Sequence, residues 1–280
     1  MKRTIKRLAF GFATAIPLLA ALIAWQYAGE RSNSVAFFFA TPSAVAGAAV
    51  NMLEQDAGWL ATLLRSGGQG DPPEQGLLWN AAITAYEAVA GFILGNVLGA
   101  GLGISLWYTR TGARIARPYL VALGALPVFA IAPMTILWFG IGIGAKVMLA
   151  TLATIFLAAA QAFRGAEHVD PLLLTRFRTF GAGRALIFRR LLLPSALTWI
   201  VASLRLSVGA ALLGAFVGEF IAAEHGLGHV IVKASGLYET PTVLVGVGAM
   251  LAIALTLDAA VSFAERNLLR GRGGGGDERR

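Results

Sequence analysis

The sequence predicts an all-α membrane protein, and its composition, its long apolar segments and the placement of its basic residues indicate this class. Hydrophobic residues make up 57% and charged residues 14% of the 280 residues, and the mean hydropathy is +0.70. A soluble domain carries about a quarter charged residues. The 34 glycines suit close contact between membrane helices. A chain without cysteine has neither disulfides nor thiol chemistry.

Six segments are apolar over about the 20 residues that a membrane-spanning helix needs. We expect the first to be an uncleaved helix, because Gln26 is too bulky for the cleavage site of a signal peptide. Pro127 and Pro133 lie in the third segment, where a broken helix and a simple kink are both open. The segment that begins at Pro42 suits a short surface helix. The predicted spans are residues 8–27, 79–106, 117–138, 144–163, 198–221 and 243–264.

The basic residues are divided unevenly between the two sides of the membrane that these spans define. Most of the 23 Lys and Arg residues fall on the side of the termini, whereas Arg31, Arg65, Lys146 and Lys233 fall on the other. Because cytoplasmic loops are enriched in Lys and Arg, we expect both termini to be cytoplasmic. The same enrichment explains the net charge of +8, so nucleic acid is not expected as a partner.

The spans are expected to form one transmembrane domain over residues 1–267. Residues 268–280, "LLRGRGGGGDERR", form a basic, glycine-rich tail that we expect to be disordered. Within the domain, the longest cytoplasmic loop is residues 164–197. Because this loop interrupts a very apolar chain with several arginines, it is the first candidate for a functional contact.

A helix, a glycine break and a second helix are predicted in this loop. Asp170 and Pro171 indicate a helix start, since Asp caps free backbone N–H groups and proline suits the first turn. Gly181 can end that helix, and a second helix over residues 184–193 leads to Pro194. Such a compact lobe with an exposed apolar and aromatic face indicates a protein partner. A loop that lies on anionic lipid headgroups is the alternative.

The end of the loop resembles the signature loop of permease subunits of binding-protein-dependent ABC importers. Gly181, nine further residues and then "LLLP" at 191–194 match that pattern in register. The usual Glu-Ala-Ala of the pattern is replaced by Thr175, Arg176 and Phe177. The resemblance implies a helix–glycine–helix lobe without the usual acidic contact.

Three further stretches resemble the branch of this family that carries aliphatic sulfonates, taurine or nitrate. The resemblance extends over nearly the whole chain and implies the type I ABC importer permease fold, in the inner membrane of a bacterium. The stretches are "ATPSAVAGAAV" after the first span, "ALPVFAIAPMTILWFGIGIGAK" at 125–146 and "GEFIAAEHGLGHVI" at 218–231.

The resemblance also implies the partners. Such a permease pairs with a second permease copy, docks two cytoplasmic ATPase subunits and receives solute from a separate binding protein, with lipid around it. ATP and Mg belong to the ATPase, so this chain is expected to bind no cofactor and to catalyse no reaction. The residues implied in ATPase coupling are Asp170, Leu173, Leu174, Thr175, Arg176, Phe177, Phe180, Gly181, Leu193 and Pro194.

A secondary transporter driven by an ion gradient is the alternative function. It would carry coupling carboxylates near the membrane midplane and inverted repeats, and the sequence shows neither. "GIGIGAK" at 140–146 is not a phosphate-binding loop, because Ala145 replaces the glycine before the lysine. A metal site is not expected either, because glycines next to His225 and His229 argue against a helix that presents both.

Charged residues inside the predicted spans need a partner or a function, and the candidates are Arg205, Asp258, Glu87 and Glu219. Arg205 and Asp258 lie about 10 Å from the cytoplasmic ends of their spans, and we predict a buried ion pair between them. Glu87 is expected to meet a polar neighbour, with a place on the translocation path as the alternative. Glu219 is expected to face the binding protein, the outer gate or solvent.

The prolines of the third span are also candidates for the path or the gate. A helix broken near Pro127 would lie beside a pathway, and Pro133 follows in the same segment.

Overall fold

The computed structural model describes residue 17 and residues 20–31, 37–66, 71–107, 110–222 and 224–270. These ranges contain helices and connections but no strand, which confirms the all-α class. A helical segment over residues 20–31 precedes the longer helices. These are α1 (Pro42–Ser66), α2 (Leu77–Trp107), α3 (Arg110–Gly124), α4 (Val128–Phe139), α5 (Ile143–Glu167), α6 (Pro171–Thr179), α7 (Leu193–Ile221), α8 (Leu227–Gly236) and α9 (Thr240–Arg270).

Several of these helices are long and apolar enough to cross a membrane. Four pass as single helices, and α3 with α4 brings the number to five if the bent pair is one span. They correspond to the second to sixth predicted spans, whereas most of the first, 8–27, lies outside the described residues. The four single helices are Leu77–Trp107, Ile143–Glu167, Ala185–Ile221 and Thr240–Asn267.

Two predicted segments differ from the structure at their boundaries. α1 begins at Pro42 as predicted, but it continues for 25 residues and is not a short surface helix. No proline interrupts the chain between Pro42 and Ser66, so nothing ends the helix early. At the other end of the chain, residues 268–270 belong to α9 rather than to the tail. Residues 271–280 lie outside the described residues.

The helices cluster in two compact units. The first comprises the described residues up to Asn80 together with Val230–Ala249. In this unit the side chain of Asp56, only 2% exposed, accepts the backbone N–H of Leu78 at 2.7 Å. A side chain of α1 therefore caps the start of α2. The prediction of a single domain over residues 1–267 stays a prediction.

Small residues bring the helices of the second unit into close contact. A Cβ atom at Gly99 of α2 would overlap the backbone oxygen of Ile155 of α5. A Cβ atom at Gly214 of α7 would lie 2.6 Å from the Cα of Ala150 of α5. Close backbone approach at small residues is a common way to pack membrane helices. The glycines of α2 that contact α5 recur every four residues, on one helix face: Gly91, Gly95, Gly99 and Gly103.

The third predicted span is broken. The helix pair Gly112–Gly124 and Val128–Phe139 is bent by 92°. Pro127 has an extended backbone with ψ 122° and precedes α4 directly. Proline removes a backbone donor and disfavours a helical conformation for the residue before it, which explains the break. Of the two readings that the sequence left open, the structure supports the broken helix at Pro127, whereas Pro133 lies inside α4.

Pro194 does not separate a loop helix from the fifth span. The chain is helical over Arg184–Ile187, forms a π-helix over Phe188–Leu192 and continues directly as α7. A proline in a helix cannot donate its hydrogen bond and crowds the carbonyl group one turn earlier. The π-helical turn lies where this crowding falls, since it includes the residue four positions before Pro194, and such turns occur as single bulges inside α-helices. The predicted helix 184–193 and span 198–221 are therefore one continuous helix.

Candidate functional site

The predicted cytoplasmic lobe, residues 170–194, starts as the sequence predicts. Asp170 precedes α6, and its Oδ1 accepts the backbone N–H of Leu172 at 2.8 Å. Pro171 occupies the first turn. The hydroxyl of Thr175, at a position where the family has Glu-Ala-Ala, donates to the Pro171 carbonyl at 2.9 Å. The Thr175 hydroxyl is therefore hydrogen-bonded to the backbone of its own helix.

The other end of α6 is fixed by a glycine with a left-handed backbone. Gly181 has a φ of 69°. Its N–H donates to the carbonyl of Arg178 at 3.0 Å, and the N–H of Ala182 donates to the carbonyl of Phe177 at 2.9 Å. These are the two hydrogen bonds of a Schellman motif, which favours glycine at this position. The glycine of the signature pattern thus has a conformational role.

The two aromatic residues of the lobe have different surroundings. Phe177 packs against the buried cluster that contains Ala166, Val169 and Ile187. Phe180 is 87% exposed. Both were predicted as partner contacts, but Phe177 is committed to the core of the lobe and Phe180 remains accessible. The remaining predicted coupling residues divide likewise: Leu173 and Arg176 are exposed, whereas Leu174, Leu193 and Pro194 are half-buried.

A shallow groove of about 500 Å³ runs along the exposed face of α6. It combines apolar surface from Leu172 and Phe180 with the positive charge of Arg176. A complementary partner would bring apolar side chains and an acidic group. The residues that line this groove are Asp170, Pro171, Leu172, Thr175, Arg176, Thr179 and Phe180.

Gly181→Ala should destabilise the lobe by about 1–2 kcal/mol, because a left-handed backbone costs this much for a residue with a Cβ atom. No atom of the described residues lies within 4 Å of a Cβ placed at Gly181, so the cost comes from the backbone and not from overlap. Gly183→Ala is the matched control, since its Cβ also meets open space and its φ is not left-handed. Limited proteolysis in membranes should cleave only the Gly181 variant faster. Equal cleavage of both variants would contradict the role given to Gly181.

A second polar site, the charged cluster, consists of Glu87, Lys146 and Glu219 on α2, α5 and α7. The Nζ of Lys146 lies 3.0 Å from the Oε1 of Glu87, and their side chains are 5% and 0% exposed. Glu219 is 1% exposed, and its carboxyl group neighbours that of Glu87. Burial of charges is costly unless they are paired and hydrogen-bonded, so the cluster ties three helices together.

The same cluster holds the turn between α7 and α8. Glu219 accepts hydrogen bonds from the Thr84 hydroxyl and from the N–H of Gly228, each at 2.7 Å. Thr84 in turn accepts the N–H of Leu227 at 2.9 Å. Lys146 donates to the carbonyl of His225 at 3.2 Å. Two buried side chains on other helices thus bind the backbone of residues 225–228.

The glycines of this turn permit its close approach to Glu219. Gly226 has a φ of 114°, and a Cβ atom there would overlap the Glu219 carboxyl group. A Cβ atom at Gly228 would lie 2.7 Å from the Cβ of Glu219. The "Glu…Gly-Leu-Gly" pattern at 219–228 therefore specifies a carboxylate that is enclosed by its own turn.

The charged cluster agrees with the sequence prediction for Glu87 and differs from the one for Glu219. Glu87 meets a polar neighbour as expected, but Glu219 is buried within the chain and faces neither solvent nor a docking partner. Lys146 was missed because it was counted with the basic residues of the outer side, although it lies inside the predicted span 144–163. The signal that could have found it is that all three residues lie near the same ends of their predicted spans. A role for Glu87 and Glu219 in the translocation path stays a prediction.

The predicted ion pair between Arg205 and Asp258 is not formed. The Nε of Arg205 lies 3.0 Å from the Oε2 of Glu265, and the two side chains are 48% and 19% exposed. Asp258 lies at an exposed position of α9. Asp258 and Glu265 are seven residues apart, about two helical turns on the same face, so the error is one of register along α9. The arginine is also less buried than predicted.

Comparison with known proteins agrees with this architecture. Residues 95–270 match the family described as "Binding-protein-dependent transport system inner membrane component". The chain is 32% identical over 256 residues to the riboflavin transport system permease protein RibX of Chloroflexus aurantiacus, which covers 91% of this chain and 88% of RibX. It is 30% identical over 229 residues to the aliphatic sulfonates transport permease protein SsuC of Escherichia coli, which covers 79% and 87%.

The sulfonate branch that the sequence predicts is supported by a second relative, SsuC of Bacillus subtilis, which is 32% identical over 202 residues, or 70% of this chain and 71% of SsuC. Among solved structures, the inward-facing MetNI methionine ABC transporter shares the fold, with a TM-score of 0.57 at 21% identity. The match covers 69% of this chain and 94% of that one. The chain therefore belongs to the family of binding-protein-dependent transport system inner membrane components, as a permease subunit of an ABC importer.

Proposed function

We propose that two copies of this permease form the pathway through which a small anion, such as a sulfonate, enters a bacterial cell across its inner membrane. A solute-binding protein delivers the anion, and two ATPase subunits bind ATP and Mg on the cytoplasmic side. The permease itself binds no cofactor. The exposed α6 lobe carries this proposal, because its groove combines apolar and basic surface on the side where the basic loops indicate the cytoplasm.

Phe180 is the proposed centre of the ATPase contact. Phe180 follows the last residue of α6, and its side chain is 87% exposed. Such an aromatic side chain gains much from burial in a partner pocket, and aromatic residues often dominate interfaces. Arg176 adds a positive charge to the same groove. The Thr175 hydroxyl donates its hydrogen bond to the backbone of α6 and does not replace the usual glutamate. Docking therefore depends on apolar packing instead of the acidic contact of the usual signature loop.

The proposed pairing of two permease copies is supported by α4. Its side chains Leu137, Trp138 and Phe139 are 78%, 67% and 51% exposed within one chain. A second copy would cover such a face in the membrane. The sulfonate-type solute is supported by the two relatives named SsuC.

Phe180→Asp should abolish co-purification of the cognate ATPase, because a carboxylate cannot enter an apolar pocket without a large desolvation cost. Pull-down of the tagged permease from solubilised membranes measures this. Because the Phe180 side chain is 87% exposed among the described residues, the amount of inserted permease should not change.

Ile115→Asp on α3 is the matched control, since Ile115 is also an exposed apolar residue, at 55%, on the same predicted side. It should retain the ATPase. If Phe180→Asp retains the ATPase as well, the docking surface is not centred on α6.

A further inference from the structure

A cavity of about 350 Å³ lies where α3, α4 and α5 meet, at the break before Pro127. Interrupted helices are tolerated in membranes where they line a cavity, and a volume of this size suits a small molecule. Its lining is apolar apart from one residue, Arg164, near the cytoplasmic end of α5. The body of the cavity is formed by side chains such as Leu123, Leu126, Ile131, Leu152 and Phe156.

Arg164 is available to a ligand. It lies at an exposed position, and no ion pair within the described part of the chain involves it. Glu167, one turn along α5, pairs with Arg117. A guanidinium group binds planar or tripodal oxyanions through paired hydrogen bonds. An apolar cavity with one such group therefore presents one anion-binding end and one hydrocarbon-binding body.

We infer that this cavity is a station on the solute pathway that accepts an organic anion with an apolar body, its sulfonate or carboxylate group at Arg164. The inference rests on the proposed function and narrows its solute class. An aromatic or aliphatic body of about six carbons would pack against Leu152 and Phe156, and its burial would supply the hydrophobic part of the affinity.

The lining argues against the two other anions that the sequence left open. Taurine carries an ammonium group, and the described residues that line the cavity include no acidic side chain to pair with it, so its charge would be buried unpaired. Nitrate has no apolar part and would gain nothing from the hydrocarbon surface while losing its hydration. The cavity thus favours anions whose charged group carries an apolar substituent over anions with a cationic substituent or with none.

The test uses the purified complex of permease and ATPase in detergent, with its unfolding midpoint as the readout, because a ligand that binds the folded state raises that midpoint. Benzenesulfonate should raise it in a saturable manner, whereas taurine, nitrate and benzyl alcohol at equal concentration should not. Arg164→Gln should weaken the apparent affinity for benzenesulfonate by at least about tenfold, since a lost charged hydrogen bond is worth at least that factor. Arg164→Lys keeps the charge but loses the paired hydrogen bonds, so its affinity should lie between those of the wild type and Arg164→Gln.

Two further variants make the result specific. Arg114→Gln removes an exposed arginine of α3 outside this cavity and should leave the affinity unchanged. Ala153→Phe fills the cavity, which Ala153 lines, and should abolish the benzenesulfonate effect. Stabilisation by benzyl alcohol equal to that by benzenesulfonate, or an unchanged affinity in Arg164→Gln, would overturn the inference. Recovery of the ATPase in each preparation tests the docking part of the proposed function separately from the ligand result.

Discussion

Lys146→Ala is expected to lower the free energy of unfolding by about 3–5 kcal/mol, because it leaves a buried carboxylate without its partner. Glu87 is fully buried and lies 3.0 Å from the Lys146 ammonium group. The same lysine binds the carbonyl of His225, so the turn before α8 would loosen as well. Unfolding of the purified permease in detergent, followed by tryptophan fluorescence, measures the loss.

Lys233→Ala is the matched control for this prediction. Lys233 pairs with Glu74, but their side chains are 37% and 68% exposed, and exposed ion pairs contribute only about 0–1 kcal/mol. Replacing Lys146 by Met and Glu87 by Gln together should recover part of the loss, because no unpaired charge then remains at that pair. A similar loss in Lys146→Ala and Lys233→Ala would show that burial does not govern the charged cluster.

The second large effect is expected at the glycine face of α2. Gly99→Ala should destabilise the permease by about 1–3 kcal/mol, the usual cost of overpacking. The added methyl group would overlap the backbone oxygen of Ile155 and lie 2.8 Å from the Cβ of Ala158. Because the obstacle is mostly backbone, α2 and α5 must move apart. Gly99→Leu should prevent the two helices from packing.

Gly101→Ala should have the opposite sign or no effect. Within the part of the chain that the structure describes, a Cβ atom at Gly101 has no neighbour within 4 Å. Alanine favours a helix over glycine by about 1 kcal/mol. The two variants make the same chemical change on the same helix, two residues apart. If both lower the unfolding midpoint, the effect belongs to helix propensity or to the lipid face and not to contact with α5.

The sequence predicts the features of this molecule that neighbouring residues determine. Asp170 with Pro171 sets the start of α6, and Gly181 sets its end, because capping and a left-handed backbone are local properties. At Pro127 the sequence predicts only that the helix is weakened, and it leaves a kink and a break equally open. Proline weakens a helix wherever it occurs, but only the surrounding packing decides between a kink and a break.

What the sequence could not predict is the register between helices. Glu87, Lys146 and Glu219 are far apart in the chain, and their contact depends on how α2, α5 and α7 are aligned along their axes. The same limit explains the wrong partner of Arg205, since Asp258 and Glu265 share one face of α9 two turns apart. The orientation of Phe177 toward the lobe also depends on packing, because Phe180 looks equivalent to it in sequence.

A single helix, α7, connects the lobe to the charged cluster, and this has a mechanical consequence. α7 is 29 residues long, which makes a rod of about 43 Å. It starts beside the π-helical turn at Phe188–Leu192 and carries Glu219 near its other end. If the π-helical turn serves as a joint, tilting this rod by about 10° would displace its far tip by about 7 Å, given its length. α7 would thus convert a small tilt at the lobe into a larger displacement at Glu219. The size of that displacement would depend on the number of residues between Leu193 and Glu219.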